Sequence, residues 1–324
     1  MRSWAGLREP TSLSVTWWSW AAVVANTVII LTGGLVRLTG SGLGCPTWPK
    51  CTDESFVPHR ELGLHGVIEF GNRMLTYVLI AVVVAMFIAV WRWSSTRRDL
   101  RRLAGLIALG VPFQGVIGGI TVLTDLNPWI VSLHLILSLI LVSASVLLVV
   151  RVRGAKPVAL SPRSAGLVLA TYAVLWVVVY LGTVVTGSGP HAGDDNAPRN
   201  MLDPQVMSHV HAASVYVLLA LTVATCLALR GTPLARLALG LLLAEIAQGT
   251  IGFVQYFTDL PIALVATHLV GAAVLVAAGT RLLVEAVSSP RGANPSRSGA
   301  VWTETPSPKD HSAPLVERGG SRND

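Results

Sequence analysis

The sequence predicts an all-α integral membrane protein with eight transmembrane helices, arranged as two pseudo-symmetric four-helix bundles in a 4+4 tandem repeat. Three observations support this fold class: the composition, the number of long apolar stretches and an internal repeat. Of the 324 residues, 52% are hydrophobic and 13% are charged, whereas soluble domains carry about 25% charged residues. The composition therefore argues against a water-soluble enzyme. The net charge is +7. We attribute this excess of basic residues to the membrane topology and not to binding of nucleic acid.

Eight stretches are long and apolar enough to cross a bilayer, for which roughly 20 residues are needed. The first is too long for a cleaved signal peptide, and no small-residue cleavage site follows it, so it counts as a span. Continuous helices also satisfy their own backbone hydrogen bonds in lipid. The predicted spans are 16–38, 65–91, 103–123, 129–150, 165–186, 208–229, 235–256 and 262–285.

The basic residues predict the orientation. Most of the 24 Lys and Arg residues flank the spans on one side, for example Arg97, Arg98, Arg101 and Arg102. Because short cytoplasmic loops carry the excess of Lys and Arg, both termini are predicted to be cytoplasmic in a plasma-membrane protein. Two long loops, about 40–64 and 187–207, then face the outside.

An internal repeat divides the chain into two halves. Gln-Gly-Val-Ile-Gly at 114–118 returns as Gln-Gly-Thr-Ile-Gly at 248–252, and Thr-Gly-Ser-Gly at 39–42 returns at 186–189. Four spans in each half give both halves the same orientation, related by an axis along the membrane normal.

This repeat predicts four segments. Residues 1–15 form a cytoplasmic N-terminus, 16–153 the N-terminal bundle, 154–287 the C-terminal bundle, and 288–324 a disordered cytoplasmic tail. The tail is assigned from its Ser, Pro, Gly and charge content.

Four histidines stand near the start of the even-numbered spans, and so at similar depth in the outer leaflet. They are His65, His134, His211 and His268. Each half therefore offers two imidazoles, which suits the axial positions of a haem iron held between helices. Isolated hydrogen-bonding histidines are the alternative interpretation, but intramembrane ionisable groups usually mark functional sites.

The remaining histidines are weaker candidates. His209 is two residues from His211 and points to another helix face, so it is the alternative ligand there. His59 and His191 fall in outer loops, where solvent exposure is expected. Zinc is disfavoured because no third or fourth ligand of the right type accompanies either imidazole pair.

The first outer loop and the second span hold further polar residues. Glu69 lies one turn from both His65 and Arg73, so it can relay protons beside a haem, pair with Arg73, or do both. Arg73 can also bind haem propionates. Cys45 and Cys51 favour a disulfide in an oxidising compartment, either structural or reversibly redox-active.

Residues 33–51, which include Cys-Pro-Thr-Trp-Pro-Lys-Cys at 45–51, together with Ile-Glu-Phe-Gly-Asn-Arg at 68–73, resemble the haem A synthase family. The likeness is greatest to its actinobacterial branch and extends over all eight spans. It implies oxidation of the C8 methyl of haem O to the formyl group of haem A by successive hydroxylations, for cytochrome c oxidase biogenesis. It also implies a haem b cofactor, a haem O synthase as partner, an unidentified electron donor and a surrounding lipid membrane.

The resemblance assigns roles to individual residues. His211 and His268 would bind haem b in the C-terminal half, and His134 would bind the substrate haem in the N-terminal half. Glu69 matches the family's catalytic glutamate, and Cys45 and Cys51 match its cysteine pair.

One position departs from the family pattern. The family often has Glu-x-x-His-Arg in the second span, and Asn72 stands here in place of that histidine, followed by Arg73. His65 can replace the missing ligand from the preceding turn. Without it, the substrate haem is held by His134 alone, which leaves an open position suited to oxygen chemistry.

Two other functions compete. A membrane electron-transfer cytochrome with haem b in both halves fits the histidines, but it does not need the unequal halves, of which only the first has loop cysteines. A transporter fits the tandem repeat, but the spans lack helix breaks near the midplane.

Overall fold

The computed structural model describes residues 9–93, 97–154 and 158–287, and within them the chain is helical without strands. Eight long helices and one short 3-10 helix, Arg60–Leu62, make up this part of the chain. The long helices are α1 (Ser12–Leu38), α2 (Gly63–Arg92), α3 (Arg98–Leu123), α4 (Pro128–Val152), α5 (Pro162–Ser188), α6 (Pro204–Ala228), α7 (Ala235–Phe257) and α8 (Ile262–Val287). All eight are long and apolar enough to cross a membrane. The prediction of a multi-pass, all-α membrane protein is confirmed.

Four of the eight long helices begin after a capping side chain, which hydropathy alone does not detect. The side chain of Thr11 accepts a hydrogen bond from Ser14 N at the start of α1. Three other helices begin with a proline at the first position, where its missing N–H costs nothing, each after a capping side chain: Asn127, Ser161 and Asp203. The tail predicted at 288–324 and residues 1–8 of the predicted N-terminal segment lie outside the described residues.

The helices pack as two rings of four. In the first ring each helix contacts the next one along the chain, and α1 closes the ring against α4; α5–α8 form a second ring in the same way. The rings meet through α1 and α4 on one side and α5 and α8 on the other. Hydroxyl groups of Ser143, Tyr172 and Thr280 hydrogen-bond to one another across this junction. The 4+4 arrangement is confirmed.

The repeat is visible in backbone detail. After α3, Asp125 and Leu126 have φ of 52° and 59°, and after α7, Asp259 and Leu260 both have φ of 57°. Left-handed conformations are uncommon outside glycine. The same tight turn is therefore built twice, at the corresponding end of each bundle.

The second outer loop lies over the first bundle. Gly42 N donates to Gly193 O at 2.7 Å, and Arg37 donates to His191 O at 2.6 Å and to Thr186 O at 2.9 Å. These bonds fix the two outer loops to each other above the site described next.

Candidate functional site

Three of the four predicted histidines share one setting: the imidazole packs against a glycine of the preceding helix. A Cβ atom built on that glycine would lie 3.2–3.4 Å from the imidazole Cε1 atom. The pairs are His134 with Gly118, His211 with Gly182, and His268 with Gly252. Glycine thus allows each ring to approach the neighbouring helix, and the recurrence in both halves shows that the setting belongs to the repeat.

The repeated Gln-Gly-x-Ile-Gly segment explains two of these settings. Gln114 Nε2 donates to the carbonyl oxygen of His134 at 2.9 Å, and Gln248 Nε2 donates to that of His268 at 2.8 Å. The glycine that faces the ring follows the glutamine by one helical turn, on the same face. The segment therefore holds the backbone of the histidine helix and makes room for the imidazole.

Among the described residues, the unpaired atom of each imidazole is Nδ1, although backbone groups of Val178 and Gln248 lie close to the rings of His211 and His268. The Nδ1 atoms of His134, His211 and His268 are buried, and none has a hydrogen-bond partner within the described ranges. A buried polar group without a partner is costly, so three such atoms in one repeated setting favour a bound group. Five other buried polar atoms, among them Gln114 Oε1 and Gln248 Oε1, are also unpaired within the described ranges. Neutral imidazole is the usual axial ligand of haem iron, and a flat macrocycle fits between helices of a four-helix ring. The residues present therefore fit a haem.

The structure places His65 differently. It is the third residue of α2, whereas His134 and His268 are the seventh residues of their helices. Its ring is exposed, and Nδ1 lies 2.9 Å from Ser41 Oγ. His65 also lines a cavity of about 320 Å³ with loop residues, among them Asp194 and Asp195. His65 is thus not brought to the level of the other imidazoles, and its role as a haem ligand stays a prediction.

Glu69 and Arg73 form an ion pair that is nearly sealed from water. Arg73 Nη2 and Nε donate to Glu69 Oε1 at 2.5 and 3.1 Å. The side chain of Arg73 is 17% exposed and that of Glu69 is 6% exposed. The pairing predicted from the sequence is confirmed, while a proton-relay role for Glu69 remains untested.

The same pair holds the cysteine loop. Glu69 Oε2 accepts a hydrogen bond from Cys45 N at 2.6 Å. Arg73 donates to the carbonyl oxygens of Cys45, Thr47 and Lys50 at 2.9–3.0 Å. All the guanidinium nitrogens of Arg73 are therefore engaged with α2 and the loop.

The disulfide Cys45–Cys51 is present, as predicted, and both cysteines are fully buried. Between them, the Trp48 ring contacts Gly119 of α3 where a Cβ would otherwise stand. Gly119 follows the glycine that faces His134. The loop is thus anchored to α2 through Arg73 and to α3 beside the His134 site.

The histidines outside the glycine setting differ in exposure, and His191, which was predicted to be exposed, is half-buried. His59 and His209 are exposed, as predicted for His59, and His209 lies near the ring of Tyr256. Partial burial, followed by the charges of Arg37 and Arg199, lowers the pKa of His191 below its ordinary value of 6.5.

Sequence reasoning missed the glycines, although the repeat contained a signal for them. Gly118 and Gly252 occupy the same place in the repeated segment, four residues after a glutamine. Glu245 of α7 also bonds between helices, since Thr222 of α6 donates to it at 2.8 Å. Gly182 has no such motif, and only the packing of α5 on α6 identifies it.

Two helical rings with unpaired intramembrane imidazoles define a multi-pass membrane protein whose sites suit haem. Residues 16–280 match the family model COX15-CtaA, described as cytochrome oxidase assembly protein. The chain belongs to this family.

Its relatives include proteins named heme A synthase. The chain is 33% identical over 132 residues to the one from Listeria welshimeri, covering 40% of this chain and 43% of that protein. It is 35% identical over 133 residues to the one from Lysinibacillus sphaericus, covering 41% and 43%. With the one from Halalkalibacterium halodurans it shares 30% identity over 168 residues, covering 50% and 56%. The chain thus spans about half the length of these curated relatives.

Proposed function

We propose that this chain is a haem A synthase, an oxidoreductase that converts the C8 methyl of haem O to the formyl group of haem A by successive hydroxylations, for cytochrome c oxidase biogenesis. The observation that carries the proposal is the set of three half-buried imidazoles with Nδ1 atoms unpaired in the described part of the chain, each packed on a glycine. Membership of a cytochrome oxidase assembly family and relatives named heme A synthase support it.

The C-terminal half, 154–287, is the proposed haem b half. His211 lies on α6 and His268 on α8, and these helices stand diagonally in their ring. Two imidazoles on diagonal helices can bind a flat macrocycle from both faces. When bound, haem b supplies one-electron chemistry, while the protein sets its position and surroundings.

The N-terminal half, 16–153, is the proposed substrate half. His134 on α4 binds the haem O iron, and α2 lies diagonally opposite with Glu69 and Asn72. Its predicted second ligand, His65, would first have to leave Ser41. The predicted contact of Arg73 with the substrate haem becomes an indirect one, because its donors already hold Glu69 and the loop.

Glu69 is the proposed catalytic acid–base residue of this half. Its Oε1 is neutralised by Arg73 and its Oε2 accepts from Cys45 N. A carboxylate in this position can take up a proton at Oε2 when the loop moves, because Oε2 is the oxygen that Arg73 does not bind.

Cys45–Cys51 is proposed to brace the loop that closes the substrate half. Both sulfur atoms are sealed from water, and the loop carbonyls are bound by Arg73. A buried disulfide is poorly placed to exchange with an external thiol, which requires access to a sulfur atom.

The cellular setting follows from the charge distribution. We place the protein in the plasma membrane, surrounded by lipid, with both termini cytoplasmic and the site near the outer face. Haem O synthase is the expected source of the substrate. An electron donor is also required.

A bacterial host that normally makes haem A, with its own haem A synthase deleted, tests the function. Such a host supplies haem O and the electron donor. Haems extracted from its membranes are separated by chromatography and identified by mass. We expect haem A or its hydroxymethyl precursor with the wild-type chain, and haem O alone with His134→Ala. Unmodified haem O with the wild-type chain, together with haem b in the purified protein, would instead favour an electron-transfer cytochrome. The histidines in both halves also fit that function.

A further inference from the structure

The repeat extends to α2 and α6 and identifies the residue that replaces the fourth imidazole. Tyr-Val-Leu occurs at 77–79 and again at 216–218, an offset of 139 residues. The exposure of these residues also agrees. In α2 the tyrosine and valine are 65% and 58% exposed, and in α6 they are 57% and 53% exposed. The leucine that follows is 6% exposed in α2 and 1% exposed in α6. The same offset places Asn72 on the position of His211.

The contacts of Asn72 place it against the preceding helix. Asn72 Nδ2 lies 3.9 Å from where a Cβ of Gly33 would stand. The Thr-Gly-Ser-Gly repeat pairs Gly182 with residue 35, which points to another face of α1 than Gly33, so Gly33 is not the counterpart of Gly182. The contact therefore shows only that Asn72 faces α1, as His211 faces α5. His65 has the first residue of α6, Pro204, as its counterpart at the offset of 139.

The Asn72 amide is oriented by its neighbour on α1. Thr32 Oγ1 donates to Asn72 Oδ1 at 2.8 Å. This bond uses one of the two lone pairs of the amide oxygen, the atom of the group that could bind a metal, and turns that oxygen toward α1. Nδ2 is then the free end, and within the described ranges it donates no hydrogen bond, on a partly exposed side chain.

We infer that Asn72 presents a hydrogen-bond donor, not a ligand, to the substrate haem, and that Thr32 is the positioning residue that turns its amide this way. This inference rests on the proposed function. Haem in the N-terminal half is then held by His134 alone, with an open iron position facing an N–H group. The C-terminal half, with imidazoles on both diagonal helices, has no such opening.

The two halves differ in the number of imidazoles that can bind a haem, and this difference suits them to different functions. A haem bound on both faces is suited to electron transfer, whereas an open position beside a donor is suited to a reactive molecule on iron. A preorganised donor stabilises charge that develops near it. One substitution in a repeated framework thus separates the substrate site from the cofactor site.

Carbon monoxide tests the inference, because it binds ferrous haem only where an iron position is open. The full-length protein is purified in detergent, loaded with haem b at both sites, reduced, and exposed to carbon monoxide. We expect one of the two haems to bind it in the wild type, and none in Asn72→His, which supplies the missing imidazole. Retention of the C-terminal haem spectrum shows that this variant is folded.

Thr32→Val isolates the positioning role, since valine has nearly the shape of threonine. We expect carbon monoxide to bind as in the wild type, with the C–O stretching band shifted to higher wavenumber because the donor is no longer held. Asn72→Leu should give the same shift. An unchanged band in both variants would overturn the role of the amide.

Two further variants separate failure of the inference from failure of the proposed function. If the wild type binds no carbon monoxide and His65→Ala creates the binding, His65 is the sixth ligand and the inference is wrong. If His134→Ala leaves both haems unchanged, the N-terminal half binds no haem through His134, and the proposed function itself fails.

Discussion

The ion pair between Glu69 and Arg73 should control the stability of the cysteine loop. We consider Arg73→Met, which keeps the length of the side chain and removes its donors. The side chains of the pair are 17% and 6% exposed, so it belongs with buried ion pairs, not with surface pairs worth about 0–1 kcal/mol. Removing one partner of a buried pair costs about 3–5 kcal/mol, because the other charge is left uncompensated.

This cost should appear as local opening of the loop. Three loop carbonyls lose their donor, and the unpaired charge of Glu69 is better solvated when the loop is open. The disulfide is therefore exposed to a reductant more often. At 1.4 kcal/mol per factor of ten, the open population rises about 10²- to 4 × 10³-fold. Reduction of Cys45–Cys51 by a water-soluble phosphine follows this population when opening and closing are fast. The assay uses a Cys226→Ser background, so that only the loop cysteines are counted by thiol labelling.

The double variant Glu69→Gln with Arg73→Met provides the control. Without the buried carboxylate, most of the penalty disappears, and reduction should slow by at least tenfold relative to Arg73→Met alone. A double variant reduced as fast as Arg73→Met would refute the reasoning, since lost carbonyl contacts would then account for the whole effect.

Three other predictions concern the imidazole settings and the outer loops. Gly182→Ala places a Cβ 3.2 Å from His211 Cε1; overpacking of about 1–3 kcal/mol should weaken haem retention in the C-terminal half roughly 5- to 100-fold, measured by transfer to apomyoglobin. Gly166→Ala, with open space at its Cβ, should have no effect, and equal loss in both variants would contradict a specific contact. Gln114→Leu removes the donor to His134 O and should lower haem O binding without altering the C-terminal haem spectrum; a change confined to the C-terminal haem would be inconsistent with this bond. The lowered pKa of His191 favours its neutral ring, so its contribution to loop stability is complete above its unfolded value of 6.5 and is lost as the pH falls below it. Hydrogen exchange at Gly42 N, corrected for intrinsic rates, should therefore quicken between about pH 7.5 and about pH 5.5, and His191→Gln should abolish this dependence.

The membrane architecture could be predicted from the sequence because lipid imposes simple rules. Length, apolar composition and the unusual repeat at 114–118 and 248–252 were sufficient for eight helices in two rings. The helix starts were less accurate: α3 begins at Arg98, not at 103. The cause is that charged residues continue a helix into the interface, while hydropathy marks only its apolar part.

The candidate site was predicted in part. His134, His211 and His268 do share one setting, but His65 does not, because it is the third residue of α2 and its ring meets Ser41 of the first long loop. The packing partners, Gly118, Gly182 and Gly252, depend on which helices are neighbours, and a single sequence does not state this. The hydrogen bonds from Arg73 to the loop could not be predicted either, because every residue type has a backbone carbonyl and the sequence does not show which of them Arg73 binds.

Haem ligation by the C-terminal imidazoles is the central claim, and electron paramagnetic resonance of the purified oxidised protein tests it most directly. The account predicts a low-spin signal of two axial imidazoles that is lost in His211→Ala and in His268→Ala. His209→Ala, two residues away and exposed, should keep the signal unchanged. A signal that survives in both His211→Ala and His268→Ala, or that disappears in His209→Ala alone, would contradict the account.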